Sequence, residues 1–581
     1  MSARVLPIAA LAVGIGAVAA CVAAALLALI GLCTNLFFFQ RFDTALRSPV
    51  DHHLGPFVIL VPVIGALIVG AMARYGSERI RGHGIPEAIE AILMNGSRVQ
   101  PKVALLKPLS AAISIGSGGP FGAEGPIIMT GGAFGSLAAQ FFHLTAAERK
   151  TLLVAGAAAG MSATFAAPIA SVVLAVELLL FEWKPRSFIP VALASATAAA
   201  LRRHILGFGP IFSVPPHTLA IGWPGLGACL IVGLLAGALS MGLTAAVYAS
   251  EDAFQRLPIH WMWWPGIGGL VIGIGGYFFP QALGVGYDVI GGLLRDEMPI
   301  TIIAGVLCVK SAMWAISLGS GTSGGVLAPL LMMGAALGGV EARFLPFEGA
   351  GFWPLISMGA ILGGTMRSPL TGIVFALELT QDVHILLPLL IAVTVAHAFT
   401  VLTLRRSILT EKVSRRGFHL SREYSIDPLE IIFAREVVRT NVTALPVDAT
   451  PVAIRAAFEG EPPRRHEQRL FPIVDGTGQL VGAVTRKKLR AWLDAPEQEP
   501  AAGLIERAPV VAHTDEPLRT VVYRMAESGL TRLPVVEPDG RFVGIVALAD
   551  LLTARARILD AERRRERVLG TGWRLPQFLH F

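Results

Sequence analysis

The sequence predicts an all-α polytopic membrane domain that is built from an internal repeat and followed by a smaller α/β module. Three observations lead to this prediction. Long apolar runs fill the chain before about residue 404, one glycine-rich phrase occurs twice, and short apolar runs alternate with polar turns after Lys412. Of the 581 residues, 54% are hydrophobic and 15% are charged, and nearly all of the charge-rich sequence follows residue 404.

Several apolar runs are as long as the ~20 residues that a membrane helix needs. They cover residues 8–39, 57–73, 223–248 and 386–404. The first run is too long for a cleaved signal peptide, so we expect it to remain as a helix. Two further runs, 105–131 and 315–339, are broken by glycine and proline. Transporters use interrupted helices at corresponding positions of repeated halves to build a site near the bilayer midplane.

The repeated phrase spans Ser114 to Pro126 and returns at Ser317 to Pro329. The register extends outward from it in both directions. Gly82-His-Gly84 resembles Gly284-Val-Gly286, and the run from Pro168 to Glu177 resembles the run from Pro369 to Glu378. These matches indicate an internal duplication, with halves at about 55–205 and 258–404.

Glu124 is the one acidic residue in the first copy of the phrase, and the second copy has none. A carboxylate at membrane depth is costly and usually faces a cavity or a pathway. The apolar residues after Glu124 predict that a helix starts there, and a helix N-terminus stabilises an anion with unpaired N–H groups and partial positive charge. Glu124 is therefore interpreted as an anion tethered at an anion site; the alternative is that it merely caps a helix.

Three short motifs, in this order, carry a resemblance to a known family. They are Gly82-His-Gly-Ile-Pro86, Gly122-Ala-Glu-Gly-Pro126 and Gly325-Val-Leu-Ala-Pro329, and Phe165-Ala-Ala-Pro168 accompanies them. Together they resemble the anion-site motifs of the CLC family of chloride channels and chloride/proton exchangers. The resemblance covers residues 1–412. It implies an inverted repeat, a homodimer with one pore per subunit, and anions held by helix N-termini, backbone amides and two hydroxyls.

The resemblance also implies roles for single residues. Glu124 matches the gating glutamate, which in exchangers also carries the proton. The implied anion contacts are His83, Gly84, Ala123, Glu124, Gly125, Val326, Leu327 and Leu409. Chloride or a similar small anion is the implied substrate.

Two of these positions depart from the family pattern. His83 stands where the family has a serine, and Leu409 stands where its pore tyrosine usually falls, so both hydroxyl donors are absent. An imidazole can donate a hydrogen bond and gains charge as pH falls. The other interpretation of His83 is a loop histidine that caps the next helix or pairs with Glu87. Anion preference is therefore open, with halides first.

A third departure concerns protons. Exchangers of this family carry two acids after the Ala-Pro helix, whereas this sequence has Glu177 followed by Leu178. The usual relay is unsupported, which favours passive conduction. The alternative is a chloride/proton antiporter with a nonstandard inner route through Glu177 or Glu182. Glu177 can equally be a helix-end or interface residue, as its counterpart Glu378 suggests. An alternative of another class is a membrane-bound nucleotide sensor that does not transport.

The C-terminal region contains a second duplication. The phrase from Leu470 to Thr485 returns from Arg532 to Ala547, and the pair resembles tandem CBS domains, which often bind adenine nucleotides. We place a linker at 413–435, the two domains at 436–495 and 504–560, and a charged helix and tail at 561–581, with charged helical sequence from Thr553 to Leu569. Thr485 and Asp550 are the candidate nucleotide contacts; a purely structural module is an equal alternative.

Other function classes find little support in the sequence. Gly319-Ser-Gly-Thr-Ser-Gly324 fits a dinucleotide pattern, but no strand precedes it and it lies among membrane-type runs. No hydrolytic, phosphate-binding or metal motif is evident, so we expect neither an enzyme nor a required cofactor. The four cysteines lack paired spacing and are expected to be free and buried. The basic clusters fit cytoplasmic flanks rather than nucleic-acid binding. The chain is thus expected in the cell membrane, with its CBS domains in the cytoplasm.

Overall fold

The computed structural model describes residues 4–217, 221–415, 429, 432–459, 468–494, 501–505 and 508–557. The chain divides into two compact units, Met1–Arg422 and Glu423–Phe581.

The first unit is helical. Before the repeat stands α1 (Val5–Phe39). The first half contains α2 (Leu60–Tyr75), α3 (Ile85–Met94), α4 (Pro101–Gly116), α5 (Glu124–Gln140), α6 (Ala146–Phe165), α7 (Pro168–Leu174) and α8 (Pro185–Ile205). A long helix, α9 (Trp223–Gln255), joins it to the second half. That half contains α10 (Trp264–Phe278), α11 (Tyr287–Leu294), α12 (Ile300–Gly305), α13 (Ser311–Gly319), α14 (Leu327–Glu341), α15 (Phe352–Met366), α16 (Pro369–Thr380) and α17 (Leu386–Thr403), and α18 (Ile408–Arg415) closes the unit.

Helix lengths follow the apolar pattern of the sequence. Five helical stretches are long and apolar enough to cross a membrane, among them the whole of α1 and α9. Other apolar helices are shorter, such as α14 and α15, and a glycine stands just before each of these two begins. The predicted interrupted helices of a transporter-type membrane domain are thereby confirmed.

The duplication is visible in the packing. In the first half α5 packs against α6, and in the second half α14 packs against α15 in the same way. The halves meet where α2 contacts α10 and where α7 contacts α16. Corresponding helices thus make corresponding contacts in the two halves. Because α5 also contacts α14, the loops that precede these two helices lie close together.

The cysteine prediction needs a correction. All four thiols are free, but Cys229 alone is buried, whereas Cys21 and Cys308 are exposed and Cys33 is partly covered. Cys21 lies on α1, which is long enough to span the membrane. The outside of a membrane helix faces lipid, which is as apolar as a protein core, so an apolar environment does not require burial within the protein.

The second unit contains two three-stranded sheets. The first has β1 (Leu445–Pro446), β2 (Leu470–Val474) and β3 (Leu480–Thr485), and the second has β4 (Ala512–His513), β5 (Arg532–Val536) and β6 (Phe542–Ala547). In each sheet the first strand is parallel to the second, and the second is antiparallel to the third. Helices accompany the strands in the described part of this unit, among them α19 (Pro451–Glu459), α20 (Arg486–Leu493) and α21 (Leu518–Ser528). The expected α/β module built on a repeated strand-turn-strand phrase is confirmed.

Two described segments lie beside the expected domain boundaries. Because α18 continues to Arg415, the expected end of the membrane domain at residue 412 falls inside a helix. The segment from Phe433 belongs with the second sheet, since Ala434 N–H donates to the Glu516 carbonyl and Arg439 pairs with Ile545. Residues 548–557 are helical, and the rest of the expected charged helix and tail lies outside the described residues.

Candidate functional site

Three loops that are far apart in sequence are joined by backbone hydrogen bonds. Gly122 N–H donates to the Gly325 carbonyl at 3.1 Å, and Gly325 N–H donates back to the Gly122 carbonyl at 2.8 Å. Gly82 N–H donates to the carbonyl of Thr322 at 3.1 Å. The glycine-rich phrases of both repeats and the Gly82-His-Gly84 loop therefore form one structure.

Helix N-termini converge on these loops. Gly84 precedes α3, Ala123 precedes α5, and Val326 precedes α14. The backbones pack so closely that a side chain on Gly84 would overlap the carbonyl oxygen of Gly125, and Gly84 also has a φ of 90°. Helix N-termini carry unpaired N–H donors and partial positive charge. Their meeting point is thus suited to an anion.

Seven of the eight predicted anion contacts lie on these loops and helix starts. Those seven are His83, Gly84, Ala123, Glu124, Gly125, Val326 and Leu327. Leu409 is the second residue of α18, which packs against α3, and its side chain is fully buried. Its apolar side chain adds no hydrogen-bond donor.

Glu124 is the first residue of α5 and is 0% exposed. The hydroxyl of Tyr287 donates to its Oε1 over a long distance of 3.5 Å. Its Oε2 has no hydrogen-bond partner among the described residues. The backbone amides of Glu124 and Ala328 lie near the carboxylate and contribute to its stabilisation. Apart from these amides, one long hydrogen bond from a side chain holds the buried carboxylate.

Two cavities are lined by residues of the loops and helix starts around Glu124. One, of about 490 Å³, is lined by Gly82, His83, Glu87 and Lys412, and we call it the inner cavity because Lys412 belongs to α18, the helix at the end of the described part of the first unit. The other, of about 140 Å³, is lined by Ala123, Tyr287 and residues of α1 and the loop that follows it, and we call it the outer cavity. Glu124 lines neither cavity and lies between residues that do.

His83 is 3% exposed and lines the inner cavity. Its Nδ1 has no hydrogen-bond partner in the described part of the chain. The cap of α3 comes from Glu87, whose carboxylate accepts from Gly84 N–H at 2.7 Å and forms an ion pair with Lys412 at 2.7 Å. Glu87 therefore caps α3 from within its first turn, and pairing with Glu87 is what is left of the alternative interpretation of His83.

Two buried lysines flank the site and escaped the sequence interpretation. Lys107 Nζ donates to the carbonyls of Ile80 and Gly82 at 2.8 and 2.7 Å, and Lys310 Nζ donates to the carbonyl of Gly284 at 2.7 Å. The two lysines occupy corresponding positions of the repeat, and both are 0% exposed. A lysine at the same position in both apolar halves was a signal available in the sequence.

The acids considered for a proton route have other partners. Glu177 accepts from Leu370 N–H, Thr371 N–H and the Thr371 hydroxyl, so it caps α16. Its counterpart Glu378 accepts from Ile169 N–H and Ala170 N–H and caps α7.

The two remaining positions on that route are Glu182, which lies shortly before α8, and Leu178, which lies in the turn that continues α7. Glu182 accepts from the Ser187 hydroxyl at 2.7 Å and pairs with Lys184 at 2.9 Å. Leu178 is fully buried and apolar. Each carboxylate is thus held by contacts near a helix end.

The candidate nucleotide contacts also have internal partners. Thr485 caps α20 by accepting from Lys488 N–H. Asp550 accepts from the Arg439 Nε at 2.8 Å and from Ala547 N–H at 2.9 Å. Any ligand hydroxyl that binds Asp550 would compete with the guanidinium of Arg439.

Comparisons with known proteins agree with this geometry. The family model described as voltage gated chloride channel matches residues 64–401, and the CBS domain model matches 434–495 and 501–557. A ClcB-like chloride channel protein of Ralstonia nicotianae is 31% identical over 347 residues, which are 58% of this chain and 80% of that protein. The H(+)/Cl(−) exchange transporter ClcA of Salmonella paratyphi B is 29% identical over 369 residues, which are 60% of this chain and 76% of that protein.

Solved structures share the fold. A slow cyanobacterial Cl−/H+ antiporter gives a TM-score of 0.64 at 22% identity and covers 72% of this chain and 98% of its own. A eukaryotic CLC transporter gives 0.59 at 21% identity and covers 94% and 98% of the two chains.

The family model spans more than half of the chain, the glycine-rich loops meet at one buried carboxylate, and a family of anion channels and transporters is matched rather than one of enzymes. The chain therefore belongs to the voltage gated chloride channel (CLC) family, as an integral membrane protein for anion transport with two cytoplasmic CBS domains.

Proposed function

We propose that the protein conducts chloride or a similar small anion along a path from the inner to the outer cavity, and that Glu124 is the gate. We further propose a homodimer in which each subunit has its own path. The observation that carries the proposal is the position of Glu124: its carboxylate is fully buried between residues of the two cavities, where the N-termini of α3, α5 and α14 meet.

The physical argument rests on exchange of one anion for another. The carboxylate offsets the partial positive charges of the N-termini of α3, α5 and α14, which would otherwise face each other without an anion. Its single long hydrogen bond and its unpartnered Oε2 hold it weakly. A mobile anion can take its place at small cost once the side chain rotates away or becomes protonated. Movement of Glu124 thus opens the path.

Conduction without tight proton coupling is the mode that the side chains favour. Leu178 replaces the inner acid, and it is buried and apolar. Glu177 accepts three hydrogen bonds as a helix cap, so movement of its carboxylate would uncover the start of α16. Glu182 is held by Ser187 and Lys184. None of these three positions offers a carboxylate that is ready to pass protons to Glu124.

A proton-coupled antiporter is the second candidate, and one observation favours it. His83 lines the inner cavity and its Nδ1 has no partner among the described residues, so a titratable ring without a fixed partner at this nitrogen borders the path. The Salmonella relative is named as an H(+)/Cl(−) exchange transporter. The third interpretation is a nucleotide sensor without transport. It gains no support, because both repeats keep their glycine-rich loops and these loops are joined by hydrogen bonds between Gly122 and Gly325.

The deciding experiment measures both ions at once. Purified protein is placed in liposomes loaded with chloride, a potassium gradient sets the voltage, and chloride efflux and internal pH are followed together. We expect chloride loss without uphill proton movement. Uphill proton movement at a fixed ratio to chloride would contradict the passive mode and favour the antiporter, and absence of chloride flux would contradict both.

We also propose that the CBS domains regulate transport through α18. Its first turn carries Leu409, Lys412 pairs with Glu87 at the start of α3, and Arg415 pairs with Asp252 of α9. The CBS domains follow α18 in the sequence. A shift of α18 would therefore act on the helix start that presents His83 and Gly84.

A further inference from the structure

A hydroxyl group outside the three motifs reaches the gating position. Tyr287 is the first residue of α11, directly after Gly284-Val-Gly286, and its Oη is 3.5 Å from Glu124 Oε1. The two residues are 163 positions apart in sequence. Tyr287 also lines the outer cavity, so this residue contacts both that cavity and the carboxylate.

The ring of Tyr287 is held in place by aromatic neighbours. It packs edge-on against Phe165, with ring centroids 6.4 Å apart, and against Phe212, with centroids 6.2 Å apart. Gly286, which precedes the helix, has a φ of 80° that suits glycine. The backbone and two rings therefore fix the direction of the hydroxyl.

The first repeat has no equivalent hydroxyl. The residue that corresponds to Tyr287 is Ile85, the first residue of α3. At the positions where this fold's relatives place side-chain hydroxyls, the chain has His83 and Leu409. Tyr287 is thus the side-chain hydroxyl that the structure records on Glu124, and it comes from the outer side.

We propose that Tyr287 is a specificity-determining anion contact: when the Glu124 carboxylate leaves, the Tyr287 hydroxyl donates to the small anion that replaces it. This inference rests on the proposed gating role of Glu124. A buried hydroxyl that loses its acceptor carries a desolvation cost, and an incoming anion removes that cost by accepting the bond. Hydrogen bonds to charged acceptors are stronger than neutral ones. The ligand class is a small monovalent anion that fits beside one O–H donor and the amide of Ala328.

A hydroxyl that only locks the gate shut would explain the same contact, so the test removes the gate first. In Glu124→Ala no carboxylate remains for Tyr287 to hold, and any further effect of Tyr287→Phe must concern the anion. Tyr287→Phe keeps the ring and its packing against Phe165 and Phe212. Tyr277→Phe in the same background is the matched control, because that tyrosine is exposed on α10 and its ring contacts Phe278.

The measurement is chloride binding to the purified full chain by titration calorimetry, followed by the ratio of chloride to nitrate flux in liposomes. We expect Tyr287→Phe to weaken chloride binding about tenfold in the Glu124→Ala background, because one hydrogen bond to a charged acceptor is lost. We also expect it to change the ratio of chloride flux to nitrate flux. Tyr277→Phe should change neither.

Two outcomes would overturn the inference. One is unchanged chloride affinity in Glu124→Ala/Tyr287→Phe, which would leave the hydroxyl with a locking role only. The other is an equal loss in the Tyr277→Phe control. A failure of the gating role itself is distinguishable, because it would appear earlier, as unaltered gating of Glu124→Ala before any tyrosine is changed.

Discussion

The carboxylate of Glu124 combines complete burial with few bonds, and this combination is unusual for a structural acid. Glu177 and Glu378, which cap helices, accept three and two hydrogen bonds, whereas Glu124 accepts one at 3.5 Å. A capping carboxylate is tied to the amides of a helix start, but Oε2 of Glu124 has no partner among the described residues. A side chain held this weakly is suited to movement.

Neutralising Glu124 should open the path. In Glu124→Gln we expect anion flux that is faster than in the unmodified protein and has lost most of its pH dependence, because the tethered charge no longer competes with mobile anions. Chloride efflux from liposomes between pH 4.5 and 7.5 (about the range in which an ordinary carboxyl and imidazole titrate) measures this. The control is Glu297→Gln, an exposed acid paired with Arg295. Retention of the original pH dependence would remove Glu124 as the gate.

His83 should influence which anion passes. Replacing it with serine exchanges an imidazole for a smaller hydroxyl donor at the inner side of the site. We expect His83→Ser to shift the chloride-to-nitrate flux ratio by roughly 3–10-fold, the range expected when one hydrogen bond is gained or lost. His143→Ser, which changes an exposed histidine, is the control. Unchanged selectivity would leave His83 with a packing role.

At the scale of residues, the sequence was most informative where a short motif is repeated. Glu124 and His83 stand out because their neighbours are glycines in a recognisable order. Tyr287 and the Lys412–Glu87 pair do not, because each depends on a contact between distant parts of the chain. The alignment of Gly82-His-Gly84 with Gly284-Val-Gly286 did contain one usable signal, since it places Tyr287 at a helix start that faces the same site.

Among the helices, α7 and α16 cap each other across the duplication. Glu177, in the turn that continues α7, accepts from the start of α16, and Glu378 in α16 accepts from the start of α7. The exchange is reciprocal because the two halves are copies. A helix N-terminus in an apolar environment has no water to satisfy its N–H groups, so these carboxylates stabilise the junction of the halves.

Equal behaviour of Glu177 and Glu378 is the test of that role. We expect Glu177→Gln and Glu378→Gln each to destabilise the protein by about 1 kcal/mol, the usual cost of a lost helix cap, and to leave the ratio of protons to chloride unchanged. Thermal unfolding in detergent and the paired flux assay measure the two quantities. If Glu177→Gln alone altered proton movement, Glu177 would belong to a proton route.

One of the ion pairs that hold α18 joins Lys412 to Glu87 of α3. Lys412 and Glu87 are 18% and 6% exposed at their side chains, so removing either partner leaves a largely buried charge. We expect Lys412→Met to cost roughly 3–5 kcal/mol of stability and to reduce flux, because Glu87 then holds Gly84 N–H without its counter-charge. Thermal unfolding and chloride efflux measure this.

A double variant separates the pair from nonspecific damage. Glu87→Gln/Lys412→Met should recover part of the stability lost in Lys412→Met, because no unpaired charge remains. Lys102→Met, an exposed lysine at the start of α4, is the control and should have little effect. Equal losses in the single and double variants would show that the ion pair does not position α18.

For the molecule as a whole, the two units could be predicted from the sequence because each contains an internal repeat with its own pattern of apolar and polar residues. Long apolar runs and paired glycines mark the membrane unit, and the repeated strand-turn-strand phrase marks the CBS unit. Element ends were predicted to within a few residues where glycine or proline stands, as at Trp223 and Leu386. What could not be predicted is pairing over long separations, since periodicity specifies a face of a helix but not the partner that covers it.

Nucleotide binding by the CBS unit is predicted to compete with an internal contact. Arg439 pairs with Asp550, the candidate ribose contact, but its side chain is 62% exposed and such pairs contribute at most about 1 kcal/mol. We therefore expect Arg439→Gln to tighten adenine nucleotide binding by no more than about fivefold and Asp550→Asn to weaken it about tenfold. Calorimetry with ATP, ADP and AMP on the full chain measures both.

Arg541→Gln removes an exposed pair with Glu537 in the same domain and should change nothing. Nucleotide binding that is identical in all three variants would place any nucleotide site away from Asp550. Absence of binding in every variant would favour a structural module. In that case the pair of Arg439 and Asp550 joins the segment before β1 to the second sheet.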